Sequence, residues 1–299
     1  MEFYSNGKLF ILGEYYVLEG AKVFALPTKF GQYLKVFPLQ SKALSWKSYD
    51  ADGSVWYNDE FSIQDVVTNN QTSADKIRNT LIDILHHAHL MNPSVLTKGY
   101  VVETELTFPR NWGLGTSSTL INNIAQWFEV DAFQLLEKSF GGSGYDIACA
   151  HHNTPITYQK TNEAPIVKEV VFNPSFKEHI YFVYLNQKRD SKEAIANFRK
   201  KQKDLTKEIL EVSQMTNELL SITDLDHFIT FFKIYERKLG SILEVPTIQE
   251  QLFPDFNGLV KSLGGWGGDF VMVASHESPI EYFEKKGYEV IISYKDMIL

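Results

Sequence analysis

Short apolar runs punctuated by glycine and proline fill the first forty residues, at 8–12, 16–18 and 32–37, and read as strands. Residues 41–72 are polar and mixed, as strands joined by loops would be. At 73 the period changes. Ile77, Leu81, Ile82, Leu85 and Ala88 recur at helical spacing, with Ser73 as N-cap and Pro93 beyond the end. Positions 100–108 alternate as a strand does until Pro109 breaks the pattern. Helices are expected at 116–130, 132–140 and 145–151. Strand character returns over 165–185 and ends in the apolar run 180–185. Long helical stretches follow at 192–220 and 225–243, then strands at 270–274 and 289–293 flanking a short helix at 280–286. The balance of elements shifts between 165 and 180, which divides the chain into domains of residues 1–172 and 173–299. The fold class is α+β, with two layers in each domain.

Composition narrows the partners. At 299 residues the chain can bury a large core, and 44% hydrophobic with 22% charged residues is ordinary for a globular protein. A net charge of -8 with no basic tract argues against nucleic acid as a partner. An acidic chain can still hold an anionic small molecule through local amides and a few cations. Cys149 is the single cysteine, which excludes an intramolecular disulfide and a Cys-based zinc site and fits a reducing compartment. The first apolar run, 9–12, is too short for a signal peptide or a membrane span. A cytoplasmic monomer or homodimer is expected, with no membrane partner.

Residues 113–118 place a glycine-rich turn between a strand and a helix. Gly113 and Gly115 lack a Cβ, so the backbone can turn tightly and approach a bulky anion. Thr116, Ser117 and Ser118 then open the helix, where first-turn amides lack intrahelical partners and the dipole favours negative charge. Their hydroxyls add donors or, for one of them, a magnesium ligand. Alone, the segment reads more simply as an ordinary helix start, since it is neither a Walker A loop nor a dinucleotide Gly-x-Gly-x-x-Gly.

Asp146 follows Gly144 and opens an apolar helical run; by itself it is more often a cap. Lys8, flanked by Gly7 in the first strand, would by itself be a solvated edge charge. Side by side they would do more. A neighbouring lysine favours the ionised carboxylate, which can orient or deprotonate a hydroxyl attacking a γ-phosphate. The lysine would offset charge building on the transferred group.

Four stretches together carry a resemblance. Residues 7–20, Gly-Lys-Leu-Phe-Ile-Leu-Gly-Glu-Tyr-Tyr-Val-Leu-Glu-Gly, resemble the N-terminal signature of the GHMP kinases, named for galactokinase, homoserine kinase, mevalonate kinase and phosphomevalonate kinase. Residues 109–118 resemble their Pro-x-x-x-Gly-Leu-Gly-Ser-Ser ATP loop, 143–146 their Ser-Gly-x-Asp, and 264–269 their C-terminal glycine-rich motif. The opening and Asp269 are most similar to the phosphomevalonate kinase branch.

The resemblance implies a two-domain GHMP kinase fold, with an N-terminal domain like ribosomal protein S5 domain 2 and a C-terminal ferredoxin-like α/β sandwich. It implies an ATP- and Mg²⁺-dependent kinase acting on a mevalonate-like anionic acid, in isoprenoid precursor synthesis. Lys8 and Asp146 would be its catalytic pair. Pro109, Gly113, Leu114, Gly115, Thr116, Ser117 and Ser118 would bind ATP, with Ser117 and Glu137 on the metal. Glu14, Tyr15, Ser143, Gly144, Ser191, Lys192, Gly265 and Gly267 would line the substrate site. Three departures bear on substrate identity: Trp266 replaces a glycine expected in the last motif, Thr119 stands where Ala or Gly is common, and the segment 118–146 is compact, with a helix or loop of the relatives trimmed. The rival readings are a nucleotide-binding paralogue without turnover and a kinase for a sugar or other small alcohol.

Other residues carry less. His86, His87 and His89 crowd one helix end, but adjacent histidines do not share a helix face, which favours surface or helix-end roles over a metal. Lys188 and Arg189 could grip a phosphate or stand in a solvated loop. Trp46 and Trp56 are candidates for a base pocket on aromatic character alone.

Overall fold

The computed structural model describes residues 1–187, 198, 204–264 and 268–299. By packing, the chain falls into two compact units. The first comprises Met1–Lys8, Phe30–Arg110 and Leu114–His151; the second comprises Leu9–Lys29, Asn111–Gly113 and His152–Leu299. Two long strands, β1 (Glu2–Leu12) and β2 (Lys22–Leu39), contribute residues to both.

In the first unit, the C-terminal half of β2 pairs antiparallel with β5 (Gly99–Leu106), with Gln32 opposite Leu106 and Leu39 opposite Gly99. β3 (Ala43–Tyr49) lies parallel on the other side of β5, and β4 (Val55–Ser62) closes the hairpin antiparallel to β3. A parallel neighbour among antiparallel ones makes the sheet mixed. The helices are α1 (Ile63–Val67), α2 (Lys76–Met91), α3 (Thr116–Phe128), α4 (Ala132–Ser139) and α5 (Tyr145–His151). Their apolar faces meet the sheet in one core that includes Leu34, Trp46, Leu85, Val102, Ile121 and Ile147. Burial of this apolar area is the main force holding the layers together, about 25 cal/mol per Å².

In the second unit, the start of β2 pairs with β6 (Ile156–Gln159), and β6 with the edge strand β7 (Ile166–Glu169). A separate antiparallel sheet runs in the order β11 (Ile291–Ser293), β8 (Ile180–Tyr184), β10 (Phe270–Ala274), β9 (Leu259–Ser262). Its helices are α6 (Thr206–Leu219), α7 (Leu225–Leu243), α8 (Ile248–Leu252), α9 (Ile280–Lys285) and α10 (Tyr294–Met297). No described helix is long and apolar enough to cross a membrane.

Two sequence expectations need correction. Residues 16–18 are not a strand but part of a 3-10 turn, Tyr16–Glu19, because Gly13 (φ 107°), Tyr15 (φ 68°) and Gly20 (φ 87°) adopt left-handed backbone around it. The N-cap of α2 is Asp75 rather than Ser73; its carboxylate accepts from the amides of Ile77 and Arg78, while Ser73 Oγ accepts from Asp75 N. Of the long stretch expected at 192–220, the helix Thr206–Leu219 is described and its beginning lies outside the described residues.

Candidate functional site

The first unit brings Leu114, Gly115 and the start of α3 together with the two catalytic candidates. Gly115 is the N-cap of α3, in left-handed backbone at φ 96°, and it makes no side-chain cap. A helix start of this kind leaves its first amides for an outside acceptor and concentrates positive potential there. Lys8 lies against it. The Lys8 amide donates to Leu114 O at 3.0 Å. A Cβ built on Gly115 would stand 3.5 Å from Lys8 Cγ, so the lysine stem already covers that side of the turn. Lys8 Nζ reaches Asp146 Oδ1 at 3.5 Å, both side chains keeping some contact with solvent.

Asp146 is set by a second turn. Gly144 at φ 90° reverses the chain, and its carbonyl accepts from Ala148 N as α5 begins. One residue before the aspartate, Tyr145 presents its ring to Lys8 Nζ at 5.5 Å from the centroid. Burial first, then the charge of Asp146, pushes the Tyr145 phenol well above its ordinary range, so it stays protonated. Tyr145 was not singled out from the sequence; its place between two recognised motif positions was the available signal. Behind this cluster the thiol of Cys149 is fully buried and raised by burial.

Other first-unit candidates are distributed unevenly. Leu114 is buried, Thr116 and Ser118 are half-buried, and Ser117 is exposed. Ser143 is half-buried and Pro109 leads into the loop. Glu137 is exposed on α4, and among the described residues no group of three or more His, Cys, Asp or Glu could hold a metal by itself. Trp46 is removed as a base-pocket candidate: it is core, with Nε1 donating to Ser48 Oγ. Trp56 is half-buried with the Arg110 guanidinium over its ring, and Arg110 also pairs with Asp50.

In the second unit, Gly113 (φ 70°) is approached so closely by Asp269 that a Cβ there would fall 2.3 Å from the carboxylate. Only glycine fits. Tyr15 stacks on Phe198 at 5.0 Å. Glu14 is not an open pocket residue but part of a dry ion cluster. Lys261 Nζ donates to Glu14 Oε1 at 2.5 Å and to Ser262 O at 2.7 Å. Tyr235 donates its hydroxyl to Glu14 Oε2 at 2.7 Å and accepts from Gly13 N. Glu236 stands 3.5 Å from the same ammonium. Burial, with added repulsion from Glu14 and despite the pull of Lys261, pushes Glu236 up to about 7. Ser191, Lys192, Gly265, Trp266 and Gly267, with Lys188 and Arg189, lie outside the described residues.

Solved structures of small-molecule kinases match the chain over nearly all of its length. The Methanococcus jannaschii mevalonate kinase matches with a TM-score of 0.69 at 12% identity, over 96% of this chain and 94% of that one. The chain has the GHMP-kinase fold. A phosphomevalonate kinase of Streptococcus pneumoniae, solved with phosphomevalonate and AMPPNP, matches with a TM-score of 0.70 at 13% identity, over 96% and 95%. The Lactococcus lactis galactokinase, complexed with galactose, matches with a TM-score of 0.65 at 14% identity, over 95% and 87%. No family model and no curated protein matches the chain by sequence. A GHMP-kinase fold at this identity fixes the architecture in which the motifs sit and leaves the chemistry to the residues themselves.

Proposed function

We propose that this chain is an ATP-dependent small-molecule kinase that transfers the γ-phosphoryl group to a mevalonate-like acid. The observation that carries the reading is the uncapped N-terminus of α3 with Lys8 packed on its glycine and paired to Asp146. Phosphoryl transfer asks a protein for positioning and charge rather than covalent chemistry. The amides and hydroxyls of Thr116, Ser117 and Ser118 hold the phosphates. Lys8 neutralises charge on the transferred group, and Asp146 orients the acceptor oxygen.

The acceptor decides how much Asp146 must do. The phosphate oxygen of phosphomevalonate is already ionised near neutral pH, so orientation suffices; the alcohol of mevalonate gains more from a base. Mg²⁺ would come with the nucleotide. It usually keeps several waters and takes one or two protein oxygens beside the phosphates, so no closed protein cage is needed; Ser117 and Glu137, both exposed, would be those oxygens. Bound there, it would draw charge from the phosphate oxygens.

Support for an anionic acid as acceptor comes from the similarity of residues 7–15 to the phosphomevalonate kinase branch and from the solved phosphomevalonate kinase among the matching structures. Ser143, Gly144, Ser191, Lys192, Gly265 and Gly267 stand as its proposed contacts. The test is calorimetry with AMPPNP and Mg²⁺, then ADP release over mevalonate, phosphomevalonate, homoserine and sugars. ADP release with mevalonate or phosphomevalonate is expected. Nucleotide binding without turnover on any acceptor would make the chain a binding paralogue, and turnover on a sugar alone would replace the acid.

A further inference from the structure

The side that α3 turns towards β1 and β2 is unexpectedly polar. Thr119, Asn122 and Asn123 are all fully buried, and with Gln126 they fall at helical spacings that share one side. Thr119 Oγ1 lies 2.8 Å from Gln32 Oε1 and 3.0 Å from Thr116 O, so its single proton is shared between a β2 side chain and the first residue of its own helix. Asn123 Nδ2 donates to the backbone oxygen of the same Gln32 at 2.9 Å. Ser5 of β1 donates to Asn123 Oδ1 at 2.7 Å and accepts from Asn122 Nδ2 at 2.8 Å.

We propose that this buried seam is the device that fixes the phosphate loop, with Thr119 and Gln32 as its positioning pair. The proposal rests on the nucleotide reading of the loop. Apolar packing alone is non-directional and tolerates small rotations and slides of a helix. Hydrogen bonds confine donor and acceptor to a few tenths of an ångström and a narrow angle. One partner of the seam, Ser5, sits on the strand that also bears on the loop. Ser5 is three residues before Lys8 on β1, and Lys8 itself holds Leu114 through its amide. Thr119 is the seam member nearest the helix start, its own amide making the first helical bond to Gly115 O. A register error at Thr119 therefore passes straight to the amides of 116–118. An alanine or glycine there would pack but could not anchor Gln32.

Two substitutions separate positioning from packing. Thr119→Val keeps the shape and removes the hydroxyl, leaving Gln32 Oε1 without that donor; Thr119→Ser restores the bond with a smaller side chain. Binding of AMPPNP with Mg²⁺ is measured by calorimetry, and amide hydrogen exchange is followed at 116–118 without ligand. Thr119→Val should weaken AMPPNP about tenfold, the worth of one buried hydrogen bond, and speed exchange at those amides. Thr119→Ser should bind within about threefold of the unaltered protein on the same scale. Unaltered binding and exchange in Thr119→Val, or equal damage in both variants, overturns the proposal. Should Thr119→Val not fold, Gln32→Met carries the same two measurements. Absence of AMPPNP binding in the unaltered protein would defeat the kinase reading, and the exchange contrast would then decide the seam alone.

Discussion

Two lysines in this molecule meet carboxylates under opposite conditions. Lys8 and Asp146 stand 3.5 Å apart with side chains 14% and 24% exposed, beside a helix start with open amides. Lys261 is 0% exposed and faces two carboxylates, Glu14 at 4% and Glu236 at 3%, with the Tyr235 hydroxyl closing the cluster. Water can reach the first pair and cannot reach the second. A reachable ion pair can exchange its partner for a ligand at small cost. A dry one holds its geometry because releasing either charge strands the other. The first arrangement suits chemistry and the second suits architecture, although each reads in the sequence as a lysine and a glutamate or aspartate far apart.

The comparison breaks most readily at Asp146. Asp146→Asn is expected to lower turnover by ~10²–10⁴-fold while AMPPNP affinity and thermal midpoint hold, measured by steady-state ADP release and calorimetry. Near-normal turnover would remove the carboxylate from the reaction. Next is Lys261→Met, which strands two buried carboxylates and should cost about 3–5 kcal/mol in urea unfolding. Lys8→Met, by contrast, should change stability by no more than about 1 kcal/mol, because its pair is open to solvent. Equal losses in the two lysine variants would erase the distinction.

A pH series sharpens it further. Glu236 is raised from 4.5 to about 7 by burial, so between those values the folded protein holds a proton that the unfolded chain has released. Stability should be full below about 4.5 and fall as pH rises towards about 7, the reverse of an ordinary paired carboxylate. Glu236→Gln should flatten that slope, and an unchanged slope would place its origin elsewhere. A further test is Gly115→Ala. Its Cβ would meet Lys8 at ordinary contact distance, so the expected cost is the left-handed backbone alone, about 1–2 kcal/mol in urea unfolding.

The elements most legible in the sequence were those whose pattern and punctuation agreed. α5, α7 and β10 lie where periodicity placed them, at Tyr145–His151, Leu225–Leu243 and Phe270–Ala274. The Asp224 cap and the apolar stripe of α7 leave no competing reading. The turn at 16–18 was illegible because an apolar run carries no sign of the left-handed residues that bend it. β6 and β9, four residues each, were too short to show a period.

At the site, local chemistry showed the loop and its helix, but 137 residues separate Lys8 from Asp146, and spacing cannot report that they meet. Their pairing came from a resemblance and is observed in the first unit at ion-pair distance. The dry cluster did leave a trace: Lys261 is a lone charge among Leu259, Val260 and Leu263, and a charge so placed demands a buried partner. The seam under α3 left a similar one, since asparagines at 122 and 123 are poor choices for a helix interior unless something binds them.

Cys149 turns the proposed catalytic region into its own reporter. The chain has no other thiol, this one is fully enclosed, and it lies one helical turn beyond Asp146 with its proton held on by burial. A thiol reagent can reach it only when α5 lifts from its bed, so the labelling rate counts those openings. Nucleotide should slow that clock if it braces the helix, with no engineered probe required.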